Sequence, residues 1–107
     1  MNFTTKGTAI LGALLFASSA VAQTMSVTPG NLLRLNQPAT ITYTDRDKAG
    51  QTVRVLVTGG LPISVVEITM VLDEKGRGTA VWTPTNGLWL VAVFSAPGVV
   101  DISLPVV

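Results

Sequence analysis

Side chains that alternate strictly between apolar and polar leave a chain little choice, because an extended strand buries one face and wets the other. Ala39, Ile41 and Tyr43 alternate in this way with Thr40, Thr42 and Thr44. Val53, Val55 and Val57 alternate with Thr52, Arg54, Leu56 and Thr58. Ile68, Met70 and Leu72 take one side of the next run and Glu67, Thr69 and Val71 the other, and Thr79 to Thr83 sets Ala80 and Trp82 on one face. Turn chemistry separates these runs: Pro29-Gly30, the charged segment Asp45 to Gly50, Gly59-Gly60, Asp73-Glu74-Lys75-Gly76, Pro84-Thr85-Asn86-Gly87 and Ala96-Pro97-Gly98. Three further strands complete the set. Thr24 to Val27 is resumed by Leu32 to Leu35 as a split first strand, Leu88 to Phe94 is an unbroken apolar run, and Val99 to Val106 points Val100, Ile102 and Leu104 inward and Asp101 and Ser103 outward. No helical period follows residue 22. The pattern predicts an all-β, seven-stranded antiparallel β-sandwich, with a short barrel as the competing closure.

Residues 1–22 carry the three parts of a removable signal peptide: Lys6, the apolar stretch Thr8 to Phe16, and Ala20-Val21-Ala22 before the cut. The apolar span is short for a bilayer, which needs roughly 20 residues. The mature domain is then residues 23–107, exported to the periplasm, the cell surface or the exterior, with no membrane span left. Without Lys6 the seven basic residues fall to equal the six acidic ones. A neutral chain lacks the clustered cations that nucleic acid or an anionic bilayer requires. The chain has no cysteine, so stability rests on apolar packing, metal or self-association rather than on disulfides.

The series Asp73-x-x-Gly76-x-Gly78-x-Ala80-x-Trp82-Thr83-Pro84-Thr85-x-Gly87-x-Trp89 resembles the closing part of immunoglobulin-like domains in bacterial surface proteins, and is similar to filamin-type repeats. The resemblance runs from Asp73 to Val107. It implies an immunoglobulin-like sandwich in which Trp89 occupies an aromatic position packed inward at a corner. It specifies a fold rather than an activity.

The sixth strand offers the candidate site. With Trp89, Val91 and Val93 inward, Leu88, Leu90, Ala92 and Phe94 face out; in the opposite register Trp89, Val91 and Val93 are exposed. Either way one apolar row meets solvent on a strand set beside the third and seventh, and Leu56 with Val99 or Val107 extends it. Exposed apolar patches mark interfaces, unless a loop such as Leu61 to Val66 folds over them. The expected interface is therefore Leu56, Leu88, Leu90 and Phe94, contacting another protein or a second copy in a structural, adhesive or assembly role.

The alternative is a small-ligand or carbohydrate-binding module that stacks its ligand on Trp89. Tyr43 and Trp82 read as core, since large aromatics supply much of a small domain's buried area. Asp45 and Asp47 read as a solvated loop rather than a calcium site, which wants six to eight oxygen ligands. With no histidine or cysteine there is no histidine triad, thiol nucleophile or histidine zinc site. No enzyme activity, metal or cofactor is expected.

Overall fold

The computed structural model describes residues 23–85 and 89–107. The described residues form seven strands: β1 (Thr24–Thr28), β2 (Ala39–Thr44), β3 (Thr52–Gly59), β4 (Ser64–Val71), β5 (Arg77–Trp82), β6 (Val91–Ser95) and β7 (Ile102–Pro105). They make two antiparallel sheets, one ordered β1-β2-β5 and the other β4-β3-β6-β7. A single 3₁₀ turn, Arg46–Lys48, interrupts the all-β pattern, capped by the Asp45 carboxylate accepting from the Asp47 N–H.

The period-two runs explain the layering. Val27, Ala39, Ile41 and Tyr43 of one sheet meet Val53, Val55, Val57, Met70, Ala92, Phe94 and Leu104 of the other in a single core. Burying a large apolar side chain completely contributes about 1.5–3 kcal/mol. The Tyr43 hydroxyl donates to the Pro97 carbonyl at 2.7 Å, tying β2 to the turn between β6 and β7 in the opposite sheet. Gly76 has φ +81°, and a Cβ there would run into the Asp45 carbonyl, so the β4–β5 turn needs glycine for both conformation and space.

Three expectations are corrected by the structure. Leu32 to Leu35 does not rejoin the edge that β1 forms. It crosses instead to the second sheet, where Leu33 N–H donates to Pro105 O and Val107 N–H to Leu33 O, each at 2.8 Å, in a parallel bridge of Leu33 with Val106. That crossing buries Leu33 completely, which pairing at the edge of β1 would not do. The last strand begins at Ile102 rather than Val99, and Val100 lies 88% exposed because it belongs to the turn before the strand. The sixth begins at Val91, after a bend at Leu90.

Strand directions sort the loops into two ends. The segments 45–51, 72–76 and 96–101 share one end, and 29–38, 60–63, 83–85, 89–90 and 106–107 share the other. Among the described residues, every charged side chain except Arg34, Arg54 and Glu67 stands at or beside the first end.

Burial, and secondarily the charge of Asp45, hold the Tyr43 phenol above its ordinary pKa of 10.0. The folded protein then keeps a proton that the unfolded chain releases, so stability falls as pH rises above about 10. Replacing Tyr43, the single tyrosine of the chain, with Phe is expected to cost about 1 kcal/mol at neutral pH through the lost hydrogen bond. It should also flatten the alkaline limb. Urea unfolding from pH 7 to pH 11 measures both effects.

Candidate functional site

The weakly charged end is built around one aromatic ring. Trp89 is only 7% exposed and meets Trp82 edge-on, with ring centroids 5.1 Å apart and planes at 67°. Trp82 in turn meets Phe94 at 5.9 Å and 80°. The Trp89 ring lies against Gly59, where a Cβ would fall 2.7 Å from the ring and collide with the Val91 carbonyl. A residue without a side chain is what lets β3, β6 and the ring share this space.

This seat decides which side chains reach solvent. Trp89 points inward, and so do Ala92 and Phe94. Two residues, rather than one, separate Trp89 from the next inward side chain, so strict alternation fails at the bend of Leu90. Leu90 and Val91 consequently both face out, Leu90 at 59% exposure. The backbone stays tied, with the Val106 N–H donating to Leu90 O at 2.8 Å. Neither register expected from the sequence is the one adopted.

Across a shallow groove of about 320 Å³ stand Leu61 and Ile63 from the β3–β4 turn, facing Leu90, Val91 and Val93 over a floor of Gly59 and Gly60. Ile63 is 74% exposed, and Val65 and Val107 are also exposed. Among the described residues, no charged residue lines the groove. Arg34 is the one cation at this end among the described residues.

The site residues expected from sequence divide accordingly. Leu90 sits in the patch. Leu88 lies outside the described residues. Leu56 is on the outer face of β3, half-buried between Glu67 and Ser95, which it faces in register, and it does not line the groove. Phe94 is 0% exposed, because it pairs with Val57 on the inner face, and is removed from the surface row. Trp89 is turned into the core, so its ring offers no open face for a ligand. The segment Leu61 to Val66, the alternative cover for the patch, leaves Leu61, Ile63 and Val65 exposed, and Leu61 and Ile63 line the groove themselves. The available signal was the absence of any charge from Leu56 to Val66 through a turn position.

At the opposite end Asp45 is buried, and its Oδ2 has no protein partner among the described residues. The Asp73 carboxylate accepts from the Arg77 and Lys75 N–H groups, each at 2.9 Å, and these bonds hold its pKa below the ordinary value. Among the described residues no three acidic, histidine or cysteine side chains gather as metal ligands.

Comparison with protein-family models, curated proteins and solved structures finds no match for this chain. Fold and site define a class: an all-β domain of two packed sheets, charged at one end and apolar at the other.

The fit of Trp89 under Gly59 can be tested. Gly59→Ala is expected to lose about 3 kcal/mol by overpacking. Gly30→Ala is the control, since its added Cβ meets only the Val27 carbonyl at 3.6 Å, and should stay within about 0.5 kcal/mol of the parent. Urea midpoints of the two variants decide between them.

Proposed function

We propose that this chain is a small exported immunoglobulin-like sandwich, non-catalytic, that works by protein contact through its apolar end. The strand order supports the immunoglobulin-like reading. A three-stranded β1-β2-β5 sheet faces a four-stranded sheet in which β3, β6 and β7 are neighbours, as in that fold. The fourth strand lies beside β3 rather than β5, a departure from the constant-type arrangement. The inward Trp89 at the corner before β6 matches the aromatic position that the sequence resemblance implies. The signal-like residues 1–22 support export, and a chain without histidine or cysteine favours binding over catalysis.

One observation carries the contact surface: Leu61, Ile63, Leu90 and Val91 stand exposed together on an end almost free of charge. Exposed apolar side chains that cluster, rather than scatter, mark a surface removed from water in use. A protein partner fits better than an anionic membrane, because a lone Arg34 is far from the basic cluster such a surface needs. Burying one side chain of the size of Ile63 contributes up to about 2–3 kcal/mol.

A photoreactive phenylalanine analogue at Ile63, introduced into the protein in its producing cell, is expected to give a discrete protein adduct. The same group at Thr79 should give none. Leu90→Lys should abolish the adduct while leaving the thermal midpoint nearly unchanged, since Leu90 is an exposed position. Adducts with lipid alone, or equal labelling from Ile63 and Thr79, would contradict the proposal.

A further inference from the structure

The two long sides of the sandwich are closed differently. On one side Leu33 to Leu35 covers the edge of β7. Pro105, whose carbonyl points to that segment, removes a donor there as well. On the other side β4 ends its sheet with nothing paired to it among the described residues. This edge is eight residues long, with no proline, no glycine and no lysine. Its one charge, Glu67, is directed across the sheet surface to Arg54 at 3.0 Å rather than along the edge. Val66 and Ile68, although they point between the sheets, remain only half-buried for want of a neighbouring strand. The usual devices that blunt an edge are absent.

The backbone parity of this edge is fixed. Leu72 N–H, directly after β4, donates to Gln51 O, directly before β3. Carried along the register of Thr52 with Val71 and Val53 with Met70, the alternation of an antiparallel ladder makes the even-numbered residues of β4 bond to β3. The groups of Val65, Glu67, Thr69 and Val71 therefore face outward along the sheet. An antiparallel copy of the same strand centred on Ile68 satisfies those groups: Val65 pairs with Val71 and Glu67 with Thr69, through hydrogen-bonded pairs. Between them Ile68 meets Ile68 and Val66 meets Met70, on the inner face. Apart from the pair of Glu67 with Thr69, apolar stands opposite apolar, and each Glu67 faces a threonine hydroxyl instead of another carboxylate. A register centred on Glu67 would oppose the two carboxylates, and fails for that reason. The β5 edge is shorter and contains Gly78, which weakens it as a template.

We propose that two copies of this chain join through β4, antiparallel and centred on Ile68, to make one continuous sheet across a two-fold axis. The contact is separate from the apolar end and does not rest on the reading of that end. The pairing is isologous, each copy giving and receiving the same bonds.

The chain has no cysteine, so one introduced thiol reports the register without background. Residues in a non-hydrogen-bonded pair lie about 4.5 Å apart at Cα, within disulfide reach. Ile68→Cys is expected to give a disulfide dimer in high yield on mild oxidation, and Thr79→Cys, on β5, at least tenfold less. Sedimentation of the purified parent should show a concentration-dependent dimer. Thr69→Pro should halve its mass, since proline there removes only an outward donor and leaves the ladder with β3 intact. A parent that stays monomeric at every concentration, or cross-linking equal from the two thiols, overturns the proposal. So does a dimer lost on Leu90→Lys but kept on Thr69→Pro, which assigns self-contact to the apolar end. If Thr69→Pro fails to fold, the cross-linking ratio of the two cysteine variants decides the question alone.

Discussion

Everything at the apolar end depends on the ring of Trp89 lying beneath the backbone of Gly59. The contact is steric before it is energetic: the ring occupies the space a side chain would need, and the β6 backbone closes over it. Once seated there, Trp89 completes an edge-on series with Trp82 and Phe94 that joins β5 of one sheet to β6 of the other. Such aromatic pairs contribute about 0.5–1.5 kcal/mol each beyond the area they bury. The seat also breaks the alternation at Leu90, and this break turns two consecutive apolar residues toward solvent. Core packing and exposed patch are thus two consequences of one corner.

The domain is polar in two senses. Along its length, charge collects at the end that holds the Asp45 and Asp73 turns and is nearly missing from the end that holds Leu61, Ile63 and Leu90. Across its width, one side is sealed by Leu33 to Leu35 while the other ends in the bare edge of β4. A domain that avoided contact would blunt both. The two features are what support the proposed contacts with other chains, by side-chain burial at the end and by backbone pairing at the side.

Much of this architecture was legible in the residues. Val53, Val55 and Val57, and Ile41 with Tyr43, announce their inner faces because each belongs to a strand that keeps one register from end to end. The Asp73 to Gly76 turn was equally plain, for positive φ and an Asx carboxylate are local demands. Leu90 reads as an outward residue and is one, but the break in alternation beside it was not legible, because it is set by Gly59, a residue remote in sequence, and alternation assumes an unbroken pleat. Leu33 failed for a similar reason: a parallel bridge to the far end of the chain leaves no local mark. Val100 looked like strand by composition but falls in the turn begun by Pro97-Gly98. Of the residues the sequence places in the patch, Leu90 is exposed and Phe94 lies inside, while Ile63 and Leu61 join the groove from another turn.

The corner is open to direct measurement, because the chain has only two tryptophans and both belong to it. In a Trp82→Phe variant all tryptophan emission comes from Trp89. If the ring is seated as described, that emission is blue-shifted and strongly shielded from acrylamide in the native protein, and becomes red-shifted and quenchable on unfolding. Emission near that of free indole, quenched as readily before unfolding as after, would contradict the buried corner and the surface it creates.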